Sequence, residues 1–180
     1  MKGIVFTEFI EFVEDRFGFE ISEDMIMGAN LKSDGIYTGI GTYPHSELVN
    51  MVIQLSKHTK IPISDLMTAY GQHLFTRFVL FYPQFFTKGI DIFNFIAKID
   101  SYIHVEVQKL YPDAELPSVQ VIDQSKDSIE IIYSSKRKFG DFAHGLLIGA
   151  SDYFKENIEI TKEDLVSDKS EIRFLLRRIL

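Results

Sequence analysis

Residues 91–117 read DIFNFIAKIDSYIHVEVQKLYPDAELP, and the change of character along this stretch decides the fold. Ile92, Phe93, Ile96, Ile99, Ile103, Val107 and Leu110 recur at helical spacing, so Asp91 to Leu110 is predicted to form one central helix with a continuous apolar stripe. Pro112 and Pro117 stop it, because proline has no amide proton and turns the preceding residue away from helical geometry. Beyond them the apolar period falls to two. Ser118 to Asp123 and Ser128 to Ser134 are predicted strands, joined as a hairpin by the polar turn Gln124 to Asp127.

Upstream of this stretch the pattern is helical. Val5, Phe6, Phe9, Ile10, Val13 and Phe17 mark an amphipathic helix, and Gly18 follows where a left-handed cap is wanted. A short acidic helix from Ser22 to about Met27 and the glycine-rich loop DGIYTGIGTYP lead to a helix after Ser46. A longer one starts at Ser64 and Asp65, carries Leu66, Met67, Tyr70, Leu74, Phe75, Phe78 and Val79, and ends before Pro83. Downstream, a helix from about Gly140 to Lys155 precedes two strand-like runs, ENIEIT and EIRFLLRRI, around the turn SDKS. Helices first and strands later predict an α+β fold with an antiparallel sheet of about four strands. Neither a repeat nor a linker divides the chain, so residues 1–180 are expected to form a single domain.

Composition narrows the function. With 19 Lys and Arg against 26 Asp and Glu, the 180 residues carry a formal charge of −7, which offers no electrostatic footprint for nucleic acid or an anionic membrane. The absence of Cys excludes disulfides, zinc knuckles, iron–sulfur clusters and thiolate-ligated haem, and favours the cytoplasm. The acidic residues Glu8, Glu11, Glu14 and Asp15 leave the N-terminal segment no signal-peptide core, and Met1 is taken as the mature start. Of the aromatic residues 16 are Phe and 8 are Tyr, which implies a large, dry interior.

Histidine is then the main candidate for a metal ligand. His45, His58, His73 and His144 lack partners at metal-site spacing and are read as structural or exposed residues. His104 flanks the apolar stripe of the central helix, where neutral imidazole suits the proximal side of a haem iron; a core histidine bonded to a carbonyl has the same appearance. A second feature is Tyr133-Ser134-Ser135-Lys136-Arg137 at a strand end. Alternation would send Tyr133, Ser135 and Arg137 to one face, a set suited to carboxylates such as haem propionates, although an ordinary polar strand end reads the same way.

Taken together, these features resemble the haem nitric oxide/oxygen binding (H-NOX) family, which includes the haem domain of soluble guanylate cyclase. The resemblance rests on MKGIVFTEFIEFVEDRFG, NLKSDGIYTGIGTYPHSELV, AYGQHLFTRF, IHVEVQKLYPDAELP, the Tyr-x-Ser-x-Arg motif and GDFAHGLLIGASDYF, nearly the whole chain. It implies the H-NOX fold, with N-terminal helices on the distal side of a haem b and the central helix, last helix and sheet on the proximal side. It implies His104 as the iron ligand, Tyr133, Ser135 and Arg137 as propionate partners, and Pro117 as the residue that distorts the porphyrin.

The resemblance also implies a ligand preference. Oxygen-binding members carry a distal Tyr five positions after the motif Arg, where this chain has Phe142, and support it with Trp and Asn where this chain has Phe9 and Leu74. Val5, Phe9, Leu74, Phe78, Phe142 and Leu146 are the expected apolar lining. Nitric oxide and carbon monoxide are therefore the expected ligands, without a stable oxygen complex. The cysteine-based zinc site of some relatives is impossible here. The expected role is a non-catalytic, cytoplasmic sensor that regulates a separate partner, either a sensor histidine kinase or a cyclic-di-GMP synthase or hydrolase. A haem-free protein interaction domain and a haem redox enzyme are the alternatives.

Overall fold

The structure, a computed structural model, describes residues 1–179. Seven α-helices and four strands follow the order α1 (Ile4–Phe17), α2 (Phe19–Gly28), α3 (His45–Thr59), α4 (Ile63–Phe81), α5 (Ile92–Ala97), α6 (His104–Leu110), β1 (Ser118–Gln124), β2 (Ser128–Ser134), α7 (Gly140–Phe154), β3 (Ile158–Asp164) and β4 (Glu171–Arg178). The strands form one antiparallel sheet in the order β1-β2-β4-β3. None of the described helices is long and apolar enough to cross a membrane.

Two cores share the molecule. The first buries Phe6, Phe9, Met25, Leu48, Met51 and Leu74 among α1 to α4. The second buries Phe93, Ile96, Ile131, Leu147 and Phe174 among α5, α7 and the sheet. The glycine-rich loop belongs to the first: the amides of Gly3 and Ile4 donate to Gly41 O and Gly39 O at 2.8 and 3.0 Å. Those amides open α1 and have no acceptor within the helix, so the loop closes the helix start. Gly18 carries a positive φ of 92° with ψ of 161°, so it is an extended glycine junction rather than the left-handed cap expected, and α2 begins directly after it.

The expected single helix from Asp91 to Leu110 is instead three pieces. Between α5 and α6, residues Ile99–Ile103 form a π-helical turn in which the amides of Tyr102 and Ile103 both donate to Lys98 O at 3.0 Å. Apolar periodicity survives the break, which is why the sequence conceals it. Asp91 caps α5 by accepting from Asn94 N at 2.8 Å. Arg178 of β4 then pairs with Asp91 and Glu156 and covers the Phe93 ring at 4.4 Å, tying this helix start to the sheet.

Helices α4 and α7 join the cores backbone to backbone. A Cβ on Gly71 would strike Phe142 O, one on Gly145 would strike Thr68 O, and one on Gly149 would press on Phe75 and Gln72. Replacing Gly145 by Ala gains about 1 kcal/mol of helix propensity. The obstacle is main chain, which cannot rotate aside, so overpacking at the upper end of its range, about 3 kcal/mol, outweighs that gain. Gly145→Ala should therefore lower the urea midpoint of unfolding; a midpoint equal to or above that of the parent protein would contradict the close approach.

Candidate functional site

A cavity of about 510 Å³ lies where α4 and α7 part from the 99–117 segment. That volume is typical of small-molecule and cofactor sites. Val5 of α1, Leu74 and Phe78 of α4, and Phe142 and Leu146 of α7 make an apolar wall. Ile99, Ile103, His104, Val107, Leu116 and Pro117 contribute from the other segment.

Phe9 does not reach this wall, contrary to expectation. It lies one turn after Val5 and packs edge-on against the buried Tyr70 at 4.9 Å, and Tyr70 in turn packs against Phe142 at 5.4 Å. The Tyr70 hydroxyl donates to Val5 O. A phenol buried behind the wall must find an acceptor there, and this one has done so with the backbone of a wall residue.

His104 opens α6 and lines the cavity, with 19% of its side chain exposed. Burial holds its pKa below the ordinary value, against the opposing effect of Asp100, so the neutral ring prevails at neutral pH. Its Nδ1 donates to Asp100 Oδ1 at 2.8 Å, because a carboxylate can only accept. This fixes the tautomer and leaves the Nε2 lone pair free of any hydrogen bond among the described residues. Asp100 is itself held: its Oδ2 accepts from Ser118 Oγ at 3.0 Å and Val119 N at 2.8 Å.

Tyr133, Ser135 and Arg137 meet at the same cavity. The route differs from strand alternation, since β2 ends at Ser134 and the last two residues stand in the turn beyond it. The amide of Ser135 donates to Ser170 O at 2.9 Å, and the Arg137 amide donates to Ser135 Oγ at 3.2 Å, so hydrogen bonds rather than the pleat aim them. The Arg137 guanidinium donates from Nη1 to Glu115 O at 2.7 Å and from Nη2 to Glu115 Oε2 at 3.0 Å. The Glu115 side chain is 82% exposed against 14% for Arg137, so a half-buried cation meets a carboxylate that solvent can draw away.

Asp100, Glu115 and the Tyr82–Tyr111 hydroxyl pair at 3.4 Å were not singled out by sequence reasoning. Only Asp100 carried a signal, its four-residue spacing from His104. Burial raises the Tyr82 pKa, so its phenol stays neutral. Among the described residues no group of three or more His, Asp or Glu could hold a metal ion unaided.

The fold and cavity thus define an α+β protein with a large, mostly apolar cavity between its helices and the 99–117 segment. The haem-NO-binding family matches residues 2–162. The unliganded Fe(II) H-NOX protein of K. algicida is 38% identical, with a TM-score of 0.95 over 100% of this chain and 97% of that one. The Fe(II)NO H-NOX protein of S. oneidensis is 27% identical, with a TM-score of 0.90 over 100% of both chains. The Fe(II)CO H-NOX of Shewanella woodyi bound to IWP-051 is 39% identical, with a TM-score of 0.84 over 99% of this chain and 95% of that one. No match was found among curated proteins. The chain belongs to the haem-NO-binding, or H-NOX, family.

The donor set fits the haem that the family implies. One free imidazole nitrogen, a wide apolar wall and a half-buried guanidinium beside two hydroxyls suit an iron held in a flat, apolar macrocycle with acidic side chains.

Burial also lowers the pKa of His73 and of His144, the latter helped by Lys162. The unfolded chain then binds protons near the ordinary value of about 6.5 while the folded protein resists them. Stability of the haem-free protein should hold above that pH and fall as pH is lowered through it. His73 Nε2 is buried without a partner, so His73→Gln should flatten the slope in urea titrations at a series of pH values. A stability that rises on acidification through this range would refute the assignment.

Proposed function

We propose that the cavity binds haem b through His104 and that the protein is a cytoplasmic nitric oxide sensor. The observation that carries this reading is the histidine itself: Asp100 holds Nδ1, and Nε2 stands without a protein partner at an apolar cavity. Bound there, haem would supply an iron able to take a diatomic gas. Tyr133, Ser135 and Arg137 would hold its propionates, with Glu115 yielding the guanidinium to them, and Pro117 would bear on the macrocycle.

The wall selects among gases. Bound oxygen gathers negative charge that a distal hydrogen bond must stabilise, and Val5, Leu74, Phe78, Phe142 and Leu146 have no side-chain donor. Nitric oxide and carbon monoxide bind without that help. The Fe(II)NO form of the S. oneidensis protein and the Fe(II)CO form of the Shewanella woodyi protein support these two gases as ligands here. A gas that weakened the hold of His104 on the iron would free the 99–110 segment to shift between two packed arrangements. A sensor histidine kinase, or a cyclic-di-GMP synthase or hydrolase, reads that shift through its different affinity for the two arrangements.

Purified protein should show a haem Soret band, and its absence would leave a haem-free interaction domain as the reading. His104→Gly should lose haem or retain it only with added imidazole; an unchanged ferrous spectrum without imidazole would refute the ligand. Arg137→Ala should bind haem worst, because a buried charge loses its partner at a cost of about 3–5 kcal/mol. Tyr133→Phe and Ser135→Ala should weaken binding less, and equal retention in all three would deny the motif its role.

Air-exposed ferrous protein should form no stable oxygen complex while nitric oxide and carbon monoxide both bind. Phe142→Tyr alone should not create such a complex, because neither Leu74 on the wall nor Phe9 behind it offers a supporting polar group. Detection of a lasting oxygen spectrum in the parent protein would overturn the selectivity argument.

A further inference from the structure

Asp100 does more than complete a hydrogen bond. It lies inside the π-helical turn Ile99–Ile103, immediately before His104, and π-helical turns recur at functional sites. One oxygen accepts from the ring of His104 and the other from the first two residues of β1, Ser118 through its hydroxyl and Val119 through its amide. Ser118 follows Pro117 directly, and Val119 pairs with Tyr133 across the β1–β2 ladder. A single carboxylate therefore joins the histidine, the wall proline and the strand pair that carries a propionate partner.

We infer that Asp100 is the positioning residue that sets how strongly His104 holds iron and that transmits the release of His104 to β1. The inference rests on the reading of His104 as the iron ligand. A carboxylate that accepts the Nδ1 proton draws negative charge onto the imidazole and strengthens Nε2 as a donor to metal. The donors on Oδ2 moderate this, since each hydrogen bond given to a carboxylate makes it a weaker acceptor elsewhere. Ser118 and Val119 therefore tune the histidine from β1. The linkage runs in both directions: a displaced His104 pulls on Asp100, and Asp100 pulls on the end of β1 beside Pro117.

The two sides of the carboxylate give the test opposite signs. In the haem-loaded protein, Asp100→Asn removes the charge at constant size, so the iron–histidine stretching frequency of the ferrous form should fall. His104 should hold iron about 10- to 100-fold more weakly, read as faster release when nitric oxide is mixed in stopped flow. Ser118→Ala removes a donor from the same carboxylate, so the stretching frequency should rise and release should slow. If Asp100 only anchors β1, neither frequency moves, or both move together with the loss of packing, and the inference is overturned. Should Asp100→Asn fail to hold haem, Ser118→Ala decides alone: a raised frequency supports the inference, and an unchanged or lowered one refutes it. Failure of the underlying reading looks different, because the parent protein would then lack a Soret band or keep its ferrous spectrum in His104→Gly.

Discussion

The structure depends on the contact between α4 and α7. With hydrogen in place of Cβ at Gly71, Gly145 and Gly149, the two main chains approach to the distance at which a methyl group would collide with carbonyl oxygens. Thr68 Oγ1 donating to Asp141 O at 3.2 Å and Gln72 Nε2 donating to Asp152 Oδ2 at 2.7 Å hold the same pair. Each helix contributes to both cores, Leu74 and Phe75 from α4 and Phe142 and Leu147 from α7, so the contact fixes one core on the other. It also sets where they part, and the cavity occupies that fork. Leu74 and Phe142 stand on the wall because the glycine contact leaves no freedom to place them elsewhere.

The cavity is divided by the cost of burying polar groups. Along α1, α4 and α7 the wall is apolar, and the nearest buried hydroxyl, that of Tyr70, is turned to Val5 O. Polar side chains gather on the other segments, in pairs: Tyr82 with Tyr111, Arg137 with Glu115, and His104 with Asp100. A polar group inside a protein that lacks a partner costs stability, so pairing is the expected state. His104 Nε2, which faces the cavity, has no hydrogen bond among the described residues. An acceptor without a donor, beside a large apolar space, is the feature that gives the site a chemistry rather than only a volume.

The same arrangement ties the cavity to the sheet. The segment from Asp91 to Leu110 is anchored at its start by Arg178 and in its middle by Asp100, and His104 lies between that middle anchor and the loop to β1. A shift of the histidine therefore cannot be absorbed within one helix. It reaches the sheet edge through hydrogen bonds, while the α4–α7 contact keeps the apolar wall in place.

Much of this was legible in the sequence because it depends on local regularity. Period and punctuation placed the helices and strands within a few residues, since apolar spacing and Pro or Gly act over single turns. The break at Ile99–Ile103 was not legible: a π-helical turn preserves the apolar stripe, and its widening shows only in which carbonyl each amide finds. Residue type and spacing brought His104, Tyr133, Ser135 and Arg137 to notice and the family resemblance added Pro117, and the tertiary structure gathered them at one cavity by turn hydrogen bonds that no alternation rule contains. It placed Phe9 behind Tyr70, because the tilt of α1 against α4, rather than position along either helix, decides which side chain faces the cavity. It also paired Asp100 with His104, and Glu115 with Arg137. Residue type and spacing state what a side chain can bond to, whereas the partner it meets depends on how distant segments pack.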